Sequence, residues 1–432
     1  MCCRSTVAFI SIIVFSTSCY ADSVLEWNNI ALEAIKQESL SPPVATRALA
    51  ILHCAVFDSM NAIEGQYIPY NSSPVAAPGA SDKAAAISAA FNTLSALIPN
   101  QAATFQAKYN SDIASLVPGQ SVNDGIAIGQ TVASEMLNLR SNDGSSNNFI
   151  YNGGTNPGEW RPTPPGYAPG LLPLWGSVTP FAIQSGSQFR PAGPPDLSST
   201  EYTAAYNEVK DYGAVNSSFR TPDQTEIARF WADGAGTYTP PGHWNKIAQT
   251  AATQLSWSEY DNARAFALLN ISLADTAISV WDTKYEFSFW RPITAIREGE
   301  NDTNPLTVGD TGWLPLLSTP PFPEYISGHS TFSGAAAEVL AALVGYDNFA
   351  FVTDSNGLPG VYRSFDSFSE AAIEAGKSRI YGGIHFEFSN YIGTDIGAEI
   401  SDYVLGNYLL PVPEPATLLL VGLGAVMLRR FI

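Results

Sequence analysis

The chain has 432 residues and a formal net charge of -19 at pH 7, from 21 Lys and Arg against 40 Asp and Glu. A chain this acidic offers no electrostatic footprint for a polyanion, which excludes nucleic acid as a partner. Charged residues make up only 14% while Trp, Tyr and Phe number 9, 19 and 22, so the composition excludes disorder and predicts a large core.

Residues Met1 to Ala21 carry one basic residue, Arg4, an apolar run Val7–Phe15 and a small-residue exit at Cys19-Tyr20-Ala21. This predicts a secretory signal peptide, with lipidation at Cys19 as the alternative. Cleavage after residue 21 removes Cys2, Cys3 and Cys19, leaving Cys54 in the apolar run Ala48–Phe57 as a buried, inert thiol. The mature chain then has no internal disulfide and is held by core packing.

Helical periodicity follows at Ser23–Lys36 and Pro43–Ile63, the second nearly apolar all round and therefore central. Ser81–Leu97 and Val122–Leu139 are Ala-rich and amphipathic. Ser141–Pro195, dense in Gly, Pro and Asn, predicts a long irregular excursion serving as a lid, a bundle crossing or a dimer contact. Helices resume at Ser199–Tyr212 and Thr221–Trp231, and His243-Trp244 opens another after the breaker Pro240-Pro241-Gly242. Glu259–Phe289 is the longest periodic stretch, with Phe266, Leu269, Leu273, Ala277 and Val280 on one stripe. Thr331–Val344, Ser367–Ile380 and Tyr391–Tyr408 complete an all-α reading, two packed helical bundles with the Gly/Pro-rich excursion between.

Three stretches concentrate cations and imidazoles against the overall charge. Lys284 and Arg291, seven apart, share a face if the helix is continuous, with Trp281 one turn earlier and Pro292 ending the helix. Ser327-Gly328-His329 precedes a helix, whose first N–H groups and dipole form an anion site; an ordinary N-cap with an incidental histidine fits the same residues. Arg379 and His385 stand on either side of Gly382-Gly383 and converge across that turn. Together they predict a pocket for a tetrahedral oxyanion such as phosphate or vanadate.

Lys284-x6-Arg291-Pro292, then Ser327-Gly328-His329, then Ser378-Arg379-x5-His385, in that order, resembles the vanadium-dependent haloperoxidases and the wider type 2 phosphatidic acid phosphatase superfamily. The resemblance runs from about Trp27 to Tyr408, with echoes at Ala45–Asp58 and from Phe230-Trp-Ala-Asp233 to Pro240-Pro-Gly-His-Trp244. It implies that His385 bonds vanadate, or attacks phosphorus in a phosphatase, and that His329 is the acid–base group. Lys284, Arg291, Arg379, Ser327 and the Gly328 amide would neutralise the oxygens, with Lys284 also polarising peroxide. Trp281 and Phe322 match aromatics that flank the pocket, and Asp233 is an expected ion-pair partner for an arginine. The implied activity is oxidation of halide by hydrogen peroxide to hypohalous acid. The alternatives are an acid phosphatase acting through phospho-His385, and a non-catalytic envelope or matrix protein.

Two positions depart from the pattern. Ile326 replaces a proline before Ser327, and Ser389 stands where phosphatase members carry an aspartate that orients the nucleophile, with Glu387 as a substitute. His53, in an apolar helix, and His243, at a helix start, read as structural. No HExxH, CxxC, P-loop or Rossmann glycine pattern is present, which sets aside zinc hydrolase, NTPase and dehydrogenase chemistry.

The chain ends in Val412-Pro413-Glu414-Pro415, an apolar run Leu418–Leu428 and Arg429-Arg430, and the apolar stretch is shorter than the roughly 20 residues a bilayer needs. The pattern resembles the PEP-CTERM sorting signal, which implies transient membrane association, a processing protease, and a destination in the cell envelope or extracellular matrix. A plain C-terminal anchor is the alternative. The expected organisation is a signal peptide at 1–21, a helical domain at 22–411 with its catalytic half at about 220–408, and a sorting signal at 412–432. A homo-oligomer is compatible with all of this.

Overall fold

The computed structural model describes residues 22–413, so the expected signal peptide and the bulk of the sorting segment lie outside the described residues. Its helices are α1 (Ser23–Gln37), α2 (Pro42–Glu64), α3 (Asp82–Leu97), α4 (Ala102–Ser115), α5 (Gln120–Leu139), α6 (Thr200–Gly213), α7 (Pro222–Phe230), α8 (Thr239–Leu255), α9 (Glu259–Phe287), α10 (Pro292–Arg297), α11 (Gly328–Val344), α12 (Phe368–Tyr381) and α13 (Glu387–Asn407). One antiparallel hairpin, β1 (Phe351–Asp354) with β2 (Tyr362–Phe365), pairs Phe351 with Phe365. The all-α architecture is as the periodicity predicts. Two helices were not legible: α4, whose stripe of Phe105, Tyr109 and Ile113 is fully buried only at Phe105, and α10, which is six residues long.

The helices form two groups around α9. Helices α2, α3 and α5 pack together, with α2 against α9, while α11, α12 and α13 pack together on the other side. Helix α9 starts at Ser258, whose hydroxyl accepts the Asp261 N–H, with Glu259 and Asp261 set against the positive helix end. It is long and apolar enough to cross a membrane, but 94% of that stretch is buried inside the protein, which makes it the central core helix. Small residues let neighbouring helices approach closely. A Cβ on Gly397 would meet the Thr331 carbonyl at 2.1 Å, and one on Gly334 the Thr394 carbonyl at 2.2 Å, so α11 and α13 are seated backbone to backbone.

The excursion at 141–195 is irregular but tightly held. Buried Asp275 of α9 accepts N–H bonds from Phe181 (2.6 Å), Ala182 (2.6 Å) and Ile183 (2.8 Å), and the Arg140 guanidinium lies 3.9 Å over the Phe181 ring. Further along, Trp160 N–H donates to Ser288 O, Trp290 N–H to Gly158 O and Leu171 N–H to Pro321 O. The Leu171 carbonyl accepts from both Trp281 Nε1 and Tyr285 Oη. These bonds make the excursion a brace across the end of α9.

His53 is buried, with Nε2 3.0 Å from Asn28 Oδ1 and its ring against Phe266. Burial pushes its pKa down to about 3. The unfolded chain therefore takes up a proton near pH 6.5 that the folded chain refuses, and stability falls as pH drops from about 6.5 toward 3. On going from pH 7 to pH 5 in denaturant titrations, His53→Gln should lose about 2 kcal/mol less stability than the wild type. Separately, Gly397→Ala should cost about 2–3 kcal/mol by overpacking, read as a lower thermal midpoint.

Candidate functional site

Lys284 sits in the last turn of α9, which ends because Ser288 adopts a left-handed conformation (φ 45°) and returns its N–H to Lys284 O. Arg291 is the N-cap of α10, and Pro292 begins that helix. The expected continuous helix through Arg291 is thus corrected. Proline lacks an N–H and has a fixed φ, which suits the first turn of a new helix as readily as it stops an old one. Lys284 and Arg291 meet across a turn rather than along one face, and that turn is the segment stitched to the excursion. Likewise Pro240 and Pro241 lie inside the first turn of α8, not before it.

Ser327 caps α11, its hydroxyl accepting from Ser330, and Gly328 opens the helix with space around its Cα: a Cβ there would find nothing nearer than 3.8 Å. His329 follows, partly exposed, with Nε2 3.1 Å from Arg379 Nη1. Arg379, in the last turn of α12, donates through Nη2 to Trp231 O (2.6 Å) and through Nε to Ser378 Oγ (2.8 Å). His385 follows the Gly382-Gly383 turn. Gly383 has φ 76° and a Cβ on it would meet the Gly213 carbonyl at 2.5 Å, so this turn requires glycine. His385 Nε2 accepts from Arg291 Nη1 (3.1 Å), and Arg291 also holds Ile384 O and Phe322 O.

The structure therefore brings Lys284, Arg291, Ser327, Gly328, His329, Arg379 and His385 into one buried cluster. Trp281 and Phe322 form its aromatic side, with ring centres 5.1 Å apart. Phe322 lies 5.2 Å from Lys284 Nζ and 4.8 Å from the Arg291 guanidinium. Two surface clefts, one lined by Glu201, Glu208 and Tyr391 and the other by Lys210, Phe219 and Trp313, contain none of the cluster; buried charge, not cleft size, marks the site.

Three expectations change. Asp233 pairs with His243 Nδ1 (3.1 Å) rather than with an arginine, although its charge still supports that of Arg379. Glu387 pairs with Lys377 (2.5 Å) and does not reach His385. The carboxylate that does reach it is Glu324, which sequence reasoning missed: His385 Nδ1 stands 2.7 Å from Glu324 Oε1, which also accepts the Phe386 N–H at 3.0 Å. An acid directly after the Pro-rich run Pro320–Pro323, five before His329, was its only signal. Lys284 Nζ also departs from expectation, donating to the carbonyls of Pro323 (3.0 Å), Glu324 (2.9 Å) and Ile326 (2.5 Å), which occupies all three of its protons.

The electrostatics are one-sided. Three buried cations face one buried carboxylate. Burial, then Arg291, holds Lys284 well below its usual range, and burial takes Arg291 and Arg379 down to about 10 and about 9. Burial and the neighbouring cations push both His329 and His385 well below 6.5, so both imidazoles are neutral at pH 7. Burial raises Glu324 to about 7, against the pull of Lys284 and Arg291. Because a guanidinium only donates, each Nε2 facing an arginine is a lone-pair nitrogen, which places the proton of His385 on Nδ1. Arg291 Nη2 is buried with no partner among the described residues. Such a set of donors, neutral imidazoles and surplus positive charge fits a small oxyanion.

The fold and this cluster resemble those of one class of proteins, the vanadium-dependent haloperoxidases and type 2 phosphatidic acid phosphatases. More particularly, residues 264–409 match the VCPO second helical-bundle domain and residues 411–430 the PEP-CTERM protein-sorting motif. The chain is 31% identical over 290 residues to the vanadium chloroperoxidase of Curvularia inaequalis, covering 52% of this chain and 47% of that protein. It is 27% identical over 195 residues to the vanadium-dependent bromoperoxidase of Ascophyllum nodosum, covering 40% and 34%. The chain thus spans about half, or less, of the curated relatives it matches. Among solved structures, the first bacterial vanadium-dependent iodoperoxidase superposes with a TM-score of 0.79 at 28% identity, covering 91% of this chain and 97% of that one. A holo bacterial vanadium-dependent chloroperoxidase shares the fold, with a TM-score of 0.69 at 17% identity over 84% and 92% of the two chains.

Arg291→Lys keeps the charge but cannot hold Phe322 O, Ile384 O and His385 Nε2 together. It should lower stability by about 2–3 kcal/mol in denaturant titrations and weaken phosphate or vanadate binding at least tenfold, read by calorimetry.

Proposed function

We propose that this chain is an exported vanadium-dependent haloperoxidase that oxidises halide with hydrogen peroxide to hypohalous acid. The observation that carries the reading is the His385 Nε2 lone pair, facing Arg291 in a buried, positively charged cluster, on a fold shared over nearly its whole length with a bacterial iodoperoxidase. Vanadate, when bound, supplies a Lewis-acidic centre that activates peroxide toward halide without change of oxidation state.

The residues divide the remaining work. His385 would hold the vanadium through Nε2, with its Nδ1 proton kept toward Glu324. Arg291, through its unpartnered Nη2, and Arg379, Ser327 and the Gly328 N–H hold oxygens of the anion. His329, neutral and partly exposed, would take and return a proton at Nε2, the nitrogen that faces Arg379. Lys284 acts first through its charge, since donating to an oxygen requires it to release one of three carbonyls. Trp281 and Phe322 keep the cluster dry, which strengthens every charge interaction inside it.

The N-terminal segment and the PEP-CTERM motif support export, with the sorting motif directing transient membrane association, processing and release to the cell envelope or matrix. In this reading residues 22–411 form the helical body and residues of about 220–408 its catalytic half.

The test uses the purified, metal-free chain supplied with orthovanadate, peroxide and bromide or iodide and a halogen-trapping dye. Dye halogenation should require vanadate and fall to the vanadate-free level in His385→Ala. Hydrolysis of a chromogenic phosphate ester that vanadate abolishes, with no halogenation, would make the protein a phosphatase. Silence in both assays would leave a non-catalytic member of the fold.

A further inference from the structure

The ring of His385 is held on both sides, and the two sides differ in kind. On one, Arg291 Nη1 donates to Nε2 at 3.1 Å. On the other, Glu324 Oε1 lies 2.7 Å from Nδ1. Glu324 is fully buried, and the Ser389 hydroxyl lies close enough to favour its charged form. The position of Glu324 is fixed by the Phe386 N–H at 3.0 Å, one residue past the histidine that it touches. The segment that carries it is fixed as well, since Lys284 donates to the carbonyls of Pro323, Glu324 and Ile326. The carboxylate expected within α13 is absent: position 389 is serine, and Glu387 is committed to Lys377.

We infer that Glu324 is the positioning residue of the site: it fixes the His385 ring in the Nδ1-protonated tautomer and so aims the Nε2 lone pair at the anion. A neutral imidazole otherwise exchanges its proton between two nitrogens, and the form protonated on Nε2 cannot ligate vanadium or attack phosphorus there. In metal sites, such an orienting partner is worth about 10–100-fold in affinity. Here the orienting carboxylate is supplied by the loop that leads into Ser327-Gly328-His329, not by the helix that follows His385. One residue therefore ties the histidine, through its side chain, to the lysine, through its carbonyl.

The inference deepens the proposed function, and its test separates the two. Four histidines in the whole chain make ¹⁵N-histidine spectra tractable. In the anion-free wild type, the His385 signal, assigned by its loss in His385→Ala, should be of the Nδ1-protonated form. In Glu324→Ala that signal should move to the Nε2-protonated form or to a mixture, and vanadate affinity measured by calorimetry should fall about 10–100-fold. Glu324→Gln keeps an oxygen acceptor without the charge, so it should keep the tautomer and lose less than about tenfold. An Nε2-protonated His385 in the wild type overturns the inference even if Glu324→Ala does not fold. So does a folded Glu324→Ala with unchanged tautomer and affinity. A protein that passes these tests but halogenates nothing would retain the inference and lose the haloperoxidase reading.

Discussion

Burying three cations beside one carboxylate is the constraint on which the rest of this structure depends. Lys284, Arg291 and Arg379 are each almost inaccessible, and desolvation costs several kcal/mol per ion in real proteins even after relaxation. The chain meets that cost with backbone carbonyls: Lys284 takes three, Arg291 takes Phe322 O and Ile384 O, and Arg379 takes Trp231 O. Carbonyl dipoles soften the burial without cancelling the charge, so the cluster keeps its appetite for an anion. A set of carboxylate partners would have made a quieter core and a useless site.

Holding those carbonyls in place requires the loops to be as rigid as the helices. The Pro320–Ile326 segment and Ile384, just past the Gly382–Gly383 turn, present carbonyls to the cluster, while the Ser288–Trp290 turn fastens the first of these by accepting the Glu324 N–H at Phe289 O. Glycines at 334, 393 and 397 bring α11 and α13 close enough for Ser327 N–H to reach Ser389 O at 3.1 Å. The start of one helix and the histidine turn before another are thereby kept in fixed register.

Much of this was legible in the sequence, and the reasons differ by residue. The long apolar helices announce themselves by periodicity, which is why α2 and α9 stand nearly where expected. The cluster residues were legible because cations, glycine and histidine, gathered into three ordered motifs in so acidic a chain, suit little besides holding an anion. The path between Lys284 and Arg291 was not, because proline after an arginine is compatible with either the end or the beginning of a helix. Glu324 was not, because its significance lies in a contact 61 residues away that no local pattern encodes. Asp233 illustrates the converse: an acid near the right motif whose partner is His243, ten residues on.

The brace formed by residues 141–195 bears on where this protein can be divided. The segment that matches the second helical-bundle domain begins at residue 264 and holds all seven cluster residues, yet it does not contain its own wall. Trp281 and Tyr285 bond to Leu171, Trp290 to Gly158, and Pro321 to Leu171, all across that boundary. The Arg379 carbonyl partner, Trp231, also lies outside it. The matched segment is thus not closed in its own contacts. It takes one wall of its cluster, and one of the carbonyls that hold Arg379, from residues that precede it.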